Sequence, residues 1–396
     1  MSAAAAAVAA RLGVGDIAPA GPPVWEPAQR AWRITRHHDC LAALRSPDIA
    51  VTELAETLRR LGERHGIALD HLTAVLGAFL FVRHAPFHDG ARALLRQVHA
   101  ALASRLSPAL RAEIATGLLA AVAADPGGDG MLACQALPVR LMAHGLGLAE
   151  EAVAGAYAAT QAILTLWRRS PDRAALQRLE AESAAVLDRL GATLDGAARA
   201  GGVAAEAPRL GRDRYGLTSA QVTGLLNFLI LAGIETSTGL LGNMLLVFDR
   251  IEGVADRLAS DPGLRRGAVE EMLRFLGPIR RASRRAALRP IGFGGTVVPK
   301  GAALILDIEA ANHDPAAHPD PWRFDPERTD TPHITFSAGA HVCLGAPTAR
   351  ATALSFMEAL LRYRVVCAPE PPEWIDHPGF RTPRALPVVL SPRDRV

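Results

Sequence analysis

Between Val222 and Phe248 the chain reads VTGLLNFLILAGIETSTGLLGNMLLVF, an apolar run far longer than a strand. Ahead of it, Thr218 and Gln221 stand three residues apart, as in a capping box. There the hydroxyl and the amide side chain each satisfy an orphan backbone group at a helix start. From that cap to Asp249 the predicted helix covers about 31 residues, or about 47 Å at 1.5 Å per residue, which is enough to cross an entire domain. Glu235 sits near its centre. At the middle of a bilayer that carboxylate would cost about 2.5 kcal/mol or more, and basic flanks and aromatic belts are missing. The run therefore predicts a long buried helix in a soluble protein, with no membrane anchor. A composition of 49% hydrophobic and 21% charged residues agrees with a large globular chain.

Around this helix, the segment from Trp32 to Asp48 predicts a short strand, a turn and a helix, and alanine- and leucine-rich helical periodicity then continues to about residue 290. Loops at Asp125 to Gly130 and around Gly201-Gly202 are too short and apolar to be interdomain linkers. From Pro290 to Leu306, PIGFGGTVVPKGAALIL mixes β-branched residues with glycines and a Pro-Lys-Gly turn, which predicts a small hairpin sheet. A proline-dense coil follows from Asn312 to Pro332, then a helix from about Ala346 to Arg362 and a last pair of strands near Leu386 to Leu390. The expected class is mainly α with small β-sheets (α+β), as a single domain over residues 1–396. The opening MSAAAAAVAARLG lacks a basic start, so residues 1–20 are expected to form a flexible or helical tail rather than a signal peptide.

A formal net charge of +3, with no basic stripe interleaved with aromatics, points away from nucleic acid. Four widely separated cysteines (Cys40, Cys134, Cys343, Cys367) form no CxxC pair, so neither a zinc site nor a disulfide framework is expected, and a reducing cytoplasm fits.

Three motifs carry chemistry. Inside the long helix, Ala232-Gly233-Ile234-Glu235-Thr236-Ser237 puts a glycine, an acid and two hydroxyls where each polar group needs a partner. Two readings stand: a kink with hydroxyls bonded back to the preceding turn, or a proton-delivering pair facing a ligand. Glu271 and Arg274, in AVEEMLRFLGP, share a helical face at i, i+3, and an ordinary surface pair is the default for such spacing. Finally, FSAGAHVCLG places Cys343 in a glycine-rich turn ahead of a helix start, where backbone N–H groups and the helix terminus favour a thiolate. An inert cysteine and a catalytic nucleophile are both readings of that turn taken alone.

Taken in order, AGIETS, ExxR and Phe-x-x-Gly-x-His-x-Cys-x-Gly, with a Pro/Asp-rich coil between the last two, resemble the cytochrome P-450 superfamily of haem-thiolate monooxygenases in its soluble bacterial form. The resemblance runs from about Trp32 to Leu390. It implies that haem b (heme b) lies between the long helix and the cysteine-loop helix, with Cys343 as the iron ligand. Gly339 and Gly345 would permit the tight loop, and Phe336 would pack beside the sulfur. His341, Arg285, and the His88 and Arg92 pair of HDGAR would hold the haem propionates. Glu235 and Thr236 match the acid–alcohol pair beside the oxygen site. Glu271 and Arg274 match the family's structural pair, with Arg323 of PWRFDPER as the third member of the triad. Expected pocket residues are Leu229, Gly233, Ile234, Ile279, Arg280 and Arg281, with one of Arg280, Arg281 or Arg284 meeting a substrate carboxylate.

The resemblance implies an oxidoreductase of the EC 1.14 type that inserts one atom of O2 into a small organic substrate, by hydroxylation or epoxidation, in secondary metabolism. Desaturation or oxidative coupling is the alternative, and a non-catalytic haem sensor or carrier stands further off, because a sensor needs no proton relay. No flavin or iron–sulfur motif is visible, so electrons are expected from an NAD(P)H-driven partner of the ferredoxin or flavodoxin type.

Overall fold

The capping box forms as the spacing predicts. The Thr218 amide donates to Gln221 Oε1 at 2.9 Å and the Gln221 amide to Thr218 Oγ1 at 3.2 Å. The helix that they start, here the central helix, runs Ser219–Arg250 over 32 residues. It is long and apolar enough to cross a membrane, yet 67% of its most apolar window is buried inside the protein. This computed structural model describes residues 2–167, 171–199, 203–329 and 332–393; the Gly201-Gly202 loop lies outside the described residues. The structure is helix-rich with small sheets, and it gathers into two compact units.

The first unit comprises Met1–Ala50, Pro108–Pro138 and Glu235–Val396. Its main sheet contains β1 (Val24–Glu26), β2 (Ala31–Ile34), β3 (Ile49–Val51), β4 (Arg285–Ala287) and β7 (Ala303–Leu306), in the order β1-β2-β7-β4-β3. Parallel pairing sets Trp32 opposite Leu304 and Ile34 opposite Leu306, while β4 runs antiparallel to β7 with Arg285 opposite Leu304. Ile34, Leu44, Phe293, Leu304, Leu306 and Ile334 are buried together beneath it. The predicted hairpin is β5 (Ile291–Phe293) with β6 (Thr296–Val298). Its turn is Gly294-Gly295, at φ 52° and 89°, the left-handed conformation that a two-residue hairpin of this kind demands. Pro299-Lys300-Gly301 instead leads on to β7.

Two expectations change here. The last strand, β9 (Val388–Pro392), pairs with β8 (Tyr363–Cys367), directly after the Ala346–Leu360 helix, rather than with a neighbour near residue 386. The opening segment is not a loose tail. Ala3–Leu12 is a helix capped by Ser2, and Ala9, Leu12 and Val14 are almost wholly buried. Gly13 ends it in the left-handed conformation, and its carbonyl accepts from Trp374 Nε1 at 2.8 Å. One apolar residue per helical turn suffices to anchor it.

The second unit comprises Val51–Ser107 and Val139–Ile234. Its core joins the helices Leu54–His65, Asp70–Leu76, Glu150–Trp167 and Arg173–Arg199 through Leu58, Leu72, Leu76, Ile163, Leu176 and Leu187. The first half of the central helix belongs here too. Its Asn227, 1% exposed, is satisfied by Thr160, whose Oγ1 accepts from Nδ2 at 3.0 Å. At Gly224 a Cβ would lie 2.1 Å from the Ala74 carbonyl oxygen, so only glycine permits that packing.

Candidate active site

Of the four thiols, Cys40, Cys134 and Cys367 are buried and Cys343 is exposed. Burial pushes the Cys40 and Cys134 thiols far up and Cys367 up to about 12. Cys343 is thus the one cysteine of the four that is accessible.

The loop that presents it is fixed residue by residue. Ser337 and Gly339 both take positive φ, 61° and 68°. A Cβ on Gly339 would come 2.6 Å from the Leu44 carbonyl oxygen, so the turn needs glycine for both its conformation and its packing. A short 3-10 turn, Gly339–His341, follows. The Cys343 amide then donates to the Phe336 carbonyl at 2.9 Å, closing the loop, and Gly345 caps the Ala346–Leu360 helix. Phe336 lies under the Arg350 guanidinium, 4.6 Å from Cζ to ring centroid. Glu270 holds that guanidinium by two bonds of 2.6 and 2.8 Å and accepts from His333 at 3.3 Å. Burial alone would raise the Glu270 carboxyl, but the bonds from His333 and Arg350 prevail and hold it down at about 2.

Beneath the loop lies a buried network. Arg274 meets Glu271 by two bonds of 2.7 Å, with both side chains at most 3% exposed. The surface-pair default is therefore wrong for this site. Arg274 also donates to the carbonyls of Asn312 (2.8 Å) and Pro321 (2.9 Å). Asn312 passes the constraint on: its Oδ1 accepts from the Ile334 amide at 3.0 Å and its Nδ2 donates to Thr335 Oγ1 at 2.8 Å. Thr335 in turn donates to the Leu273 carbonyl at 2.7 Å. A continuous set of bonds thus runs from the ExxR pair to the residue before Phe336.

Arg323 is not the third member. Its side chain is 66% exposed and only 3.9 Å from Asp325. Arg328 takes that place, 3.3 Å from Glu271 and donating to the Pro319 carbonyl at 2.8 Å. Both arginines lie in PWRFDPER, and the turn at Asp325, whose amide donates to Glu271 at 2.9 Å, sets Arg328 rather than Arg323 toward that carboxylate. Beside this network His313 and His318 are buried, their pKa values driven down to about 3 by burial and by the Arg274 charge.

Arg285 points the same way as Ala287 on β4 and is 3% exposed. Among the described residues its Nε has no hydrogen-bond partner, and burial lowers its pKa to about 10. A buried cation without a counter-charge is costly, so this position calls for an anion. The central helix contributes Glu235, 6% exposed, and the half-buried Thr236 to this unit.

Arg280 and Arg281 are already committed. Arg280 pairs with Asp16 and with Glu309 (3.3 Å), and Arg281 donates to Gln29 Oε1 at 3.3 Å and lies 4.0 Å from Asp307. Arg284 donates to the Arg30 carbonyl at 3.0 Å. These bonds occupy the guanidinium groups expected to meet a substrate carboxylate. Ile279 is half-buried and forms an antiparallel bridge with Phe380.

In the second unit, His88 and Arg92 sit one turn apart on the Phe87–Ser104 helix, with His88 4% exposed and its Nδ1 3.1 Å from Asp89. Leu229 is 9% exposed and Ile234 exposes none of its surface, so Ile234 is core rather than cavity wall. The close approach that Gly233 allows is made by Met142, whose Cε would lie 2.3 Å from an added Cβ.

A family profile described as Cytochrome P-450 matches residues 264–387. The chain is 32% identical over 283 residues to the cytochrome P-450 monooxygenase PikC of Streptomyces venezuelae, a match covering 70% of this chain and 67% of that protein. The chain belongs to the cytochrome P-450 family. As a P-450 it is an oxidoreductase of the monooxygenase kind, and family membership brings haem iron and O2 with it. It is also similar to the cyclomarin C epoxidase CymV of Salinispora arenicola (strain CNS-205), at 34% identity over 180 residues, spanning 45% of each protein. The crystal structure of CalO2 shares the fold, with a TM-score of 0.82 at 24% identity over 94% of this chain and 93% of that one. Within the first unit the donor set suits a haem. An exposed cysteine heads a rigid loop, and the buried, unpartnered Nε of Arg285 suits a propionate carboxylate.

Proposed function

We propose that this P-450 inserts one oxygen atom from O2 into a small organic substrate, by hydroxylation or epoxidation, in secondary metabolism. Cys343, exposed while every other cysteine is buried, is the observation that carries this reading. The names of PikC, a monooxygenase, and CymV, an epoxidase, support it.

When bound, haem would supply an iron that activates O2, with a thiolate ligand tuning its reactivity. Cys343 is the residue proposed to provide that thiolate. The closure of its amide onto Phe336, together with Gly339, Gly345 and the adjacent helix start, keeps the sulfur oriented and its charge stabilised. Arg285 and His341 would hold propionate, a task that the family correspondence also assigns to His88 and Arg92. Thr236 Oγ1 orients a water, and the Glu235 carboxylate replenishes the proton that Thr236 passes on. Ile279 presents an apolar surface to the substrate. Electrons are supplied by an NAD(P)H-driven ferredoxin or flavodoxin-type donor, and the chain works in the cytoplasm as a single domain.

The test is turnover of the haem-loaded protein with NADPH and a surrogate ferredoxin system over a panel of small metabolites. Oxygen uptake with products heavier by one oxygen atom supports the proposal; products that have only lost hydrogens contradict it. Thr236→Ala should keep haem and substrate binding but divert reduced oxygen to peroxide, whereas fully coupled turnover in that variant removes Thr236 from its role.

A further inference from the structure

One exposed carboxylate near the start of the chain ties together the two strands of the Ile279–Phe380 bridge. Around the bridge, the Arg280 amide donates to the Gly379 carbonyl at 2.8 Å and the Arg381 amide to the Pro278 carbonyl at 2.9 Å. Paired residues in such a bridge share a face, and their neighbours take the opposite one. Ile279 and Phe380 therefore point one way, while Arg280 and Arg381 point the other.

The second face is clamped. Arg381, 2% exposed, meets Glu309 by two bonds of 2.6 and 2.7 Å and donates to Asp16 Oδ1 at 2.9 Å. Arg280 reaches the other oxygen of Asp16 and also Glu309. Asp16 thus bridges two cations, one from each strand, although its own side chain is 51% exposed. Burial would raise its carboxyl, but Arg381 and Arg280 hold it below the usual carboxylate range. The anchored opening helix brings Asp16 there. Leu12 and Val14 are fully buried, and Trp374, whose Nε1 donates to the Gly13 carbonyl, lies 5.1 Å under the Arg381 guanidinium. The tip of the 373–384 hairpin is internally fixed, with His377 Nδ1 accepting from the Gly379 and Phe380 amides at 2.9 and 3.1 Å. Phe380 stacks on His377 at 4.3 Å, and both Ile279 and Phe380 are half-buried, which leaves surface for a ligand.

We propose that Asp16 is a positioning residue: through Arg280 and Arg381 it sets the spacing of Ile279 and Phe380, and with it the affinity for bulky apolar ligands. The inference rests on the proposed function in one respect, that the Ile279 face lines the substrate cavity.

The experiment titrates the haem-loaded protein with two azoles, imidazole and 4-phenylimidazole, following the optical shift of each. Imidazole reads the iron site alone, and the phenyl ring reads the wall. Asp16→Asn is expected to weaken 4-phenylimidazole by about three- to ten-fold while leaving imidazole affinity and the CO-bound spectrum unchanged, and Asp16→Glu is expected to recover part of the loss. An unchanged ratio between the two azoles, or equal losses in both, overturns the proposal. Ile279→Ala and Phe380→Ala test the premise separately: if neither alters 4-phenylimidazole, the cavity assignment fails, whereas a change there with Asp16→Asn silent rejects Asp16 alone. Should Asp16→Asn not fold, the unaltered protein still decides. Raising NaCl from about 0.05 to 1 M screens a half-exposed carboxylate, so 4-phenylimidazole must weaken relative to imidazole, and a constant ratio overturns the proposal.

Discussion

The cysteine loop and the Ile279–Phe380 wall each rest on a buried arginine–carboxylate pair, Arg274–Glu271 and Arg381–Glu309, but behind the wall a half-exposed carboxylate, Asp16, joins the set. Under the loop, Glu271 and Arg274 are at most 3% exposed and their bonds continue through Asn312 and Thr335. Behind the wall, Asp16 is half exposed and arrives from the far end of the chain. A buried pair contributes specificity of geometry more than net stability, yet removing one partner strands a charge. A half-exposed pair is screened and cheap to break. The loop should therefore be costly to disturb, whereas a change at Asp16 should move the wall at little cost in global stability.

The largest effect tests the buried side. Arg274→Ala leaves buried Glu271 with only the longer 3.3 Å ion pair to Arg328 among the described residues and should cost about 3–5 kcal/mol in urea unfolding; a loss under about 1 kcal/mol would mean that the network is not what fixes the loop. Acid should act on the same region. His313 and His318 have folded pKa values of about 3, below the ordinary 6.5. The unfolded chain therefore takes up protons that the native state refuses. Their contribution is complete above pH 6.5 and drains away as pH falls toward 3, by at most about 1.4 kcal/mol per pH unit for each histidine. Equilibrium melts between those values check the slope, and His318→Phe should flatten it.

Asn312→Ala comes next, at about 1–3 kcal/mol for the buried groups left unsatisfied, measured by the same melts. Smaller still is the contrast between two neighbouring arginines: Arg328→Ala should destabilise by about 1–2 kcal/mol, and Arg323→Ala by no more than about 0.5 kcal/mol. Equal effects would reverse the assignment of the triad. At the bottom of the scale, Asp16→Asn should change global stability by less than about 1 kcal/mol although it shifts azole selectivity, which is what separates the adjustable wall from the fixed loop.

The loop was legible because its information is local. Ser337 to Gly345 encode their own turn, and the capping box at Thr218 and Gln221 closes within one helical turn. The wall was not legible, because its determinants are remote: Arg280 and Asp16 lie 264 residues apart. Arginines in PIRRASRR look available for a substrate until their partners at Asp16, Glu309 and Asp307 are seen. The alanine-rich start looks like a tail for a related reason, since its burial depends on Trp374 and the prolines around it rather than on its own pattern. Arg323 and Arg328 show the limit of motif spacing. Both fit a proline-rich coil, and only the turn at Asp325 decides which one faces Glu271.

The central claim is that Cys343 ligates haem iron as a thiolate. The reduced, CO-bound absorption spectrum tests it directly, recorded for the unaltered protein, Cys343→Ser and Cys134→Ser. The account predicts the long-wavelength band of thiolate ligation in the unaltered protein and in Cys134→Ser, and its loss in Cys343→Ser. A band that survives Cys343→Ser, or never forms in the unaltered haem-loaded protein, contradicts it.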